Sequence, residues 1–251
     1  MTTEVFFETL KGRFAQVLRD HGLGEEPVKV TCRALTSEEA IGKTRRQDFP
    51  IITGKDVMIQ AEFQGHYGQA FTDAPTAYEG TLEEILAMDL VKDPHSRGLF
   101  IATVNAVMCA LGYCCGTVHC RTEGPELCAQ DMLAYLQKNF PHKKRIALIG
   151  YQPALLEMLA GSPYQVRVLD LNPANVGKER YGILVEDGEK EYEEVVRQYA
   201  ELILCTGSTI CNGTIVNYMD LDTEVLFFGT SISGSADLMG LKRVCFADRY
   251  V

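Results

Sequence analysis

The order of apolar and polar residues splits the chain into two stretches with different patterns. In the first, Val5, Phe6, Leu10, Phe14, Val17 and Leu18 recur at spacings of three and four, which predicts an amphipathic helix ending near Gly22. "VKVTCRAL" and "VMIQAEFQGHYGQAFT" follow. In the latter Val57, Ile59, Ala61 and Phe63 alternate before a turn at Gly65, so a small antiparallel sheet is expected. Thr81 stands three residues before Glu84 in "TLEEIL", where hydroxyl and carboxylate cap each other's backbone donors and start a helix. "RGLFIATVNAVMCA", from Arg97 to Ala110, is apolar almost all round and reads as a buried helix, and "ELCAQDMLAYLQKNF" gives a third that stops before Pro141.

From Lys143 onward, short apolar runs alternate with helical stretches. "RIALIG", "YQVRVLDL", "YGILVED", "ELILC", "EVLFFG" and "RVCFAD" read as strands. Between them lie "PALLEMLA", with Pro153 suited to a first helical turn and Gly161 to its end, then "EKEYEEVVRQYA", "GTIVNYM" and "SADLMG". Such alternation implies a parallel sheet covered on both faces. The fold class is therefore α/β: a βββααα region over residues 1–140 packed on a parallel α/β region over 141–251, with the boundary in "NFPHKK".

In an open parallel sheet, ligands bind beyond the carboxyl ends of the strands. Four turns belong there: "GYQP", "DLNP", "TGSTICNGT" and "GTSISG". The third runs from Thr206 to Thr214 without a charge. Its glycines, Gly207 and Gly213, let backbone approach a ligand, while Thr206, Ser208, Thr209, Asn212 and Thr214 supply neutral donors and acceptors. A short helix starting near Asn212 or Gly213 would add free N–H groups for a carboxylate or a single phosphate. Ser, Thr and Asn are also favoured at helix caps, but one cap needs one such residue. Gly229, Thr230 and Ser231 repeat the pattern in the fourth turn, where cap and ligand readings are balanced.

Composition narrows the function classes. The chain of 251 residues has a formal net charge of −10, which disfavours nucleic acid and anionic membrane surfaces as partners. No apolar run approaches a membrane span and the start lacks a signal-peptide pattern, so a cytoplasmic protein with reduced thiols is expected. Asp170 ends a strand where nucleotide sites place a ribose-binding acid, yet only Gly150 of a glycine fingerprint is present and Pro153 stands where a second glycine would. NAD(P) is thus disfavoured, a methyltransferase using S-adenosylmethionine is a minor alternative, and no P-loop occurs. All five histidines lie at or before residue 142, so proton transfer would combine Tyr151 and Asp170 with His66, Thr72 or Asp73 from the hairpin. Cys114, Cys115, His119 and Cys120, with Cys109 and Cys128 nearby, offer soft metal ligands, but their spacing fits no standard site and buried free cysteine is the plainer reading. Lys43, Arg45, Arg46 and Lys55 form a basic loop, read as either a solvated loop or an anion-guiding lid.

"GQAFT", "RGLFIATVNA", "IGYQP" and above all "TGSTICNGT" resemble the putative heavy-metal chelation family over nearly the whole chain. The resemblance implies an enolase N-terminal-like domain followed by a Rossmann-like domain, with a site between them. It also implies condensation or hydrolysis of a pterin-, flavin- or siderophore-like metabolite, or a link to metal handling. By matching motif it points to Arg97, Asn105, Gly150, Thr206 to Thr209 and Asn212 to Thr214. The cysteine cluster matches nothing in the family pattern, and its alternative is a thiol-based metal-delivery protein. The expected partner is a small heteroaromatic or carboxylated metabolite, with a homodimer as the expected assembly.

Overall fold

The computed structural model of the protein describes residues 1–24, 26–31, 35–52 and 57–251. Helix α1 (Thr3–His21) opens the chain, capped by Thr2 at one end and by Gly22 in the left-handed conformation at the other. Its buried stripe is Phe6, Phe7, Leu10, Phe14 and Leu18, whereas Val5 is 49% exposed, so the stripe is centred one residue away from the predicted one.

Strands β1 (Pro27–Thr31), β2 (Val57–Phe63), β3 (His66–Thr72) and β4 (Tyr78–Thr81) form an antiparallel sheet in the order β3-β2-β1-β4, one strand more than expected. The fourth was hidden in a polar stretch, "YEGT", that pairs antiparallel with β1. Residues 32–34 of the "VKVTCRAL" run lie outside the described residues. Helix α2 (Ser37–Ile41) carries a capping box from Thr36 and Glu39, and α3 (Leu82–Ala87) carries the predicted one from Thr81 and Glu84. Helices α4 (Pro94–Ala110) and α5 (Gly124–Asn139) complete this part.

The second sheet has six strands in the order β10-β9-β5-β6-β8-β7, and all but β7 run parallel. They are β5 (Arg145–Ile149), β6 (Gln165–Asp170), β7 (Glu179–Arg180), β8 (Ile183–Asp187), β9 (Leu202–Thr206) and β10 (Val225–Phe228). The connections are α6 (Pro153–Ala160), a π-helical stretch Glu193–Tyr199, α7 (Thr209–Asn212) with a 3-10 turn at Thr214–Tyr218, and α8 (Ser233–Met239). "RVCFAD" does not form a strand: a single bridge joins Arg243 to Phe227, after which the chain turns into a 3-10 segment.

Alternation along the strands assigns the two faces. Ala147, Ile149, Ile203 and Cys205 pack in one core with Phe6 and Phe14 of α1 and Phe100 and Val104 of α4. Ile146, Leu148, Leu202 and Leu204 pack in the other with Ala129, Met132 and Leu136 of α5 and Leu156 of α6. Helices from the first part of the chain thus cover both faces of the parallel sheet. Chain order runs outward from β5 through β6 and β8 on one side and through β9 and β10 on the other, so β5 and β9 flank a topological switch point. Among the described residues no helix is long and apolar enough to cross a membrane.

Candidate functional site

The turns after β5, β6, β9 and β10 converge on one cavity of about 610 Å³, within the range of small-molecule sites. The closest approach lies at the switch point. Gly150 has φ +87°, and a Cβ there would fall 2.6 Å from Cγ2 of Thr206, so only glycine lets these two strand ends meet. Gln152 then caps α6, its side chain accepting from Leu155 N–H at 2.6 Å.

Asp170 ties the neighbouring turns together. Its carboxylate accepts the N–H of Tyr151 and that of Asn172, both at 2.6 Å, so the oxygens read from sequence as ribose ligands already hold the sheet edge. In the uncharged turn, Thr206 and Ser208 hydroxyls bond to each other at 2.7 Å. Thr209 donates to the Thr206 carbonyl at 2.7 Å, and Asn212 Oδ1 accepts both the N–H and the hydroxyl of Thr214, at 3.0 and 2.7 Å. The helix begins at Thr209, not at Asn212 or Gly213, because Gly213 in the left-handed region ends it. Ile210, Cys211 and Asn212 bond their N–H groups within the turn, so no open row of donors awaits a phosphate. Ser208 sits at the N-cap position yet makes no side-chain cap bond.

In the β10 turn, Ser231 Oγ accepts from Phe71 N–H at 3.0 Å, joining the two sheets, whereas Thr230 Oγ1 is buried without a partner. Gly229 also lines the cavity. Thr72 and Asp73 approach from the end of β3, and Phe49 and Ile51 form a strap across the cavity from the segment after α2.

Arg46 anchors that strap. Its side chain, 14% exposed, pairs with Asp48, with Glu126 of α5 and with Glu157 of α6, and also meets the Tyr181 hydroxyl. Lys43 pairs with Glu38 and Arg45 with Glu123, so these charges are matched rather than left to guide an anion; Lys55 lies outside the described residues. Asp48 in turn accepts the hydroxyls of Tyr151, at 3.3 Å, and Tyr181. Burial, then the Asp48 charge, pushes the Tyr151 phenol up to about 12, so near neutral pH it can donate a hydrogen bond but cannot serve as a base. Sequence reading missed Asp48 and Tyr181, whose contact joins residues far apart in the chain and leaves no local pattern.

Several expected residues stand elsewhere. His66 is on the exposed hairpin, Nδ1 3.8 Å from Cys109 Sγ and away from the cavity wall. Arg97 donates to the carbonyls of Leu90 and Val91 and is not among the cavity-lining residues. Asn105 is fully buried as a clamp: its amide donates to the carbonyls of Gln69, Thr230 and Ser231, and its oxygen accepts Gly234 N–H. Gly207 and Gly213 lie off the cavity wall, Gly207 because Ile232 packs within 2.8 Å of where its Cβ would be.

The cysteines divide differently from their order in sequence. Cys114 and Cys115 are not among the cavity-lining residues, while His119, Cys120 and Cys128 line it with Cys245. Hydrogen bonding to Cys120, with burial, holds the Cys128 thiol up at about 11, and burial holds His119 below the usual imidazole value. Among the described residues no three His, Cys, Asp or Glu side chains stand together so as to hold a metal ion. The set Cys114, Cys115, His119 and Cys120 therefore does not fit the heavy metal that the sequence resemblance suggests.

Comparison with known proteins agrees with the family resemblance, and the matched residues include "IGYQP" and "TGSTICNGT" but not "GQAFT" or "RGLFIATVNA". Residues 134–239 match the family described as "Putative heavy-metal chelation" (DUF364). A protein of unknown function of that family from Pyrococcus horikoshii superposes with a TM-score of 0.54 at 17% identity, over 88% of this chain and 79% of its own. A second, from Desulfitobacterium hafniense, gives 0.51 at 10% identity over 95% and 82%. Among curated proteins none matches significantly. The chain thus carries the sequence pattern of the putative heavy-metal chelation family over residues 134–239 and shares its fold with two solved members of that family.

Proposed function

We propose that the protein binds a small aromatic or heteroaromatic metabolite in the cavity between the strap, the end of β3 and the carboxyl edge of the parallel sheet. The observation that carries this reading is the Ser208 hydroxyl. It stands at a cap position, lines the cavity and leaves the cap bond unmade, which favours a ligand role over helix capping. Phe49, Phe71 and Tyr218 supply aromatic surface, and the buried Thr230 hydroxyl lacks a protein partner. A hydrolytic or condensing activity on that metabolite would have Tyr151 as hydrogen-bond donor beside the Gly150 and Thr206 turns, and it would have no imidazole base other than His119 on the cavity wall.

A thermal-shift screen against pterins, flavins, nucleosides and metal-chelating acids tests the reading. A ligand at one hundred times its dissociation constant stabilises by about 2.7 kcal/mol. A hit whose shift is lost in Ser208→Ala supports the site. If no compound shifts the transition, while stoichiometric metal is lost from Cys120→Ser or Cys128→Ser, the metal-delivery alternative replaces it.

A further inference from the structure

The charges around the cavity narrow the ligand class. Among the described residues no lysine or arginine lines the wall, whereas Asp73 and Asp170 both do. Of the nearby guanidinium groups, Arg46 is engaged by three carboxylates, Arg97 by two carbonyls and Arg243 by the carbonyls of Gly229, Cys115 and Gly116, while Arg180 lies over the Tyr151 ring with its Nε unpartnered but is not among the residues that line the wall. Burial keeps His119 toward its neutral form and pushes the Cys211 thiol up to about 12, so neither adds charge near neutral pH. A carboxylate or phosphate entering here would lose water and meet two carboxylates with no cation among the described wall residues, an unfavourable exchange.

We propose that the cavity selects an uncharged or cationic aromatic molecule, with Asp73 at its rim as the partner of the ligand's positive or N–H-bearing end. This rests on the small-molecule reading of the cavity and replaces the carboxylated metabolite expected from sequence. Asp170 cannot take the same part as freely, since backbone N–H groups already occupy both its oxygens. Asp73 makes no such bond and is exposed, so its pull is screened and modest, while exclusion of anions comes from the cavity as a whole.

Three probes with one ring system and different charge test this: naphthalene-2-carboxamidine, naphthalene-2-carboxamide and naphthalene-2-carboxylate, with affinities measured by ligand-observed NMR on the full chain. The amidine and amide should bind at least tenfold more tightly than the carboxylate. Asp73→Asn should cut the advantage of amidine over amide severalfold and leave amide binding within twofold. Carboxylate binding equal to that of the amide overturns the charge assignment, and the cavity reading survives if Ser208→Ala or Ala129→Phe weakens that binding. If no probe binds, or neither variant affects any of them, the cavity reading falls and takes this proposal with it. An unchanged amidine preference in Asp73→Asn removes Asp73 from the account.

Discussion

Ser208 and Asn212 sit four residues apart in one turn and have opposite local roles. The Asn212 side-chain oxygen holds the Thr214 N–H and hydroxyl, whereas the Ser208 hydroxyl touches only Thr206. In urea denaturation Asn212→Ala should cost about 1 kcal/mol, the usual loss for such a bond, and Ser208→Ala less than about 0.5 kcal/mol. Equal losses would mean that Ser208 is structural after all. His119 makes a second test. Its folded-state pKa is depressed by burial, so as pH falls below about 6.5 the unfolded chain takes up this proton before the folded one does. The neutral ring's contribution is therefore present above that pH and lost as pH falls below it. His119→Gln should flatten the fall in stability between pH 7 and pH 5, and parallel pH profiles for parent and variant would contradict it. Hydroxyl-rich chemistry at this edge was legible in the sequence. Which hydroxyl bonds to protein and which faces the cavity was not, because that depends on the helix starting at Thr209 and ending at Gly213.

The elements were legible wherever burial imposes a period. Helix α4 is apolar all round because it is enclosed between β2, β3, α7 and α8, and the runs ending in Ile149, Asp170 and Thr206 became strands sealed on both faces. β4 and the bridge at Arg243 were not legible, since both rest on backbone pairing with little apolar patterning of their own. Gly68 shows how tight the packing between elements is: a Cβ there would fall 2.2 Å from Ala106 N and 2.3 Å from Ala102 O, both backbone atoms of α4. Gly68→Ala should destabilise by on the order of 3 kcal/mol or prevent folding. Gly12 in α1 has nothing within 4 Å of such a Cβ, so Gly12→Ala should gain about 0.5 to 1 kcal/mol. Thermal melts of the pair check both signs, and a tolerated Gly68→Ala would mean that β3 stands farther from α4.

At the scale of the whole molecule, the strap matters because one side chain joins it to three separate elements. Arg46 is neither fully buried nor free, so its loss should cost about 2 kcal/mol, between the limits for exposed and buried ion pairs. Hydrogen exchange at residues 48–52 should quicken in Arg46→Ala while α4 stays protected, and unchanged exchange there would show that the strap is held by its apolar contacts alone. This convergence was not legible in the sequence because its partners, Glu126, Glu157 and Tyr181, are spread along the chain, whereas the four strand-end turns were legible because parallel alternation places them on one edge. The central claim is that this edge, roofed by the strap, is where a small molecule sits. A crystal structure of the protein with the compound giving the largest shift in the screen tests it most directly. Ligand density against the Gly150 and Thr206–Ser208 turns, beneath Phe49 and Ile51, is the predicted result; density for the ligand on another surface, with this cavity empty, would contradict it.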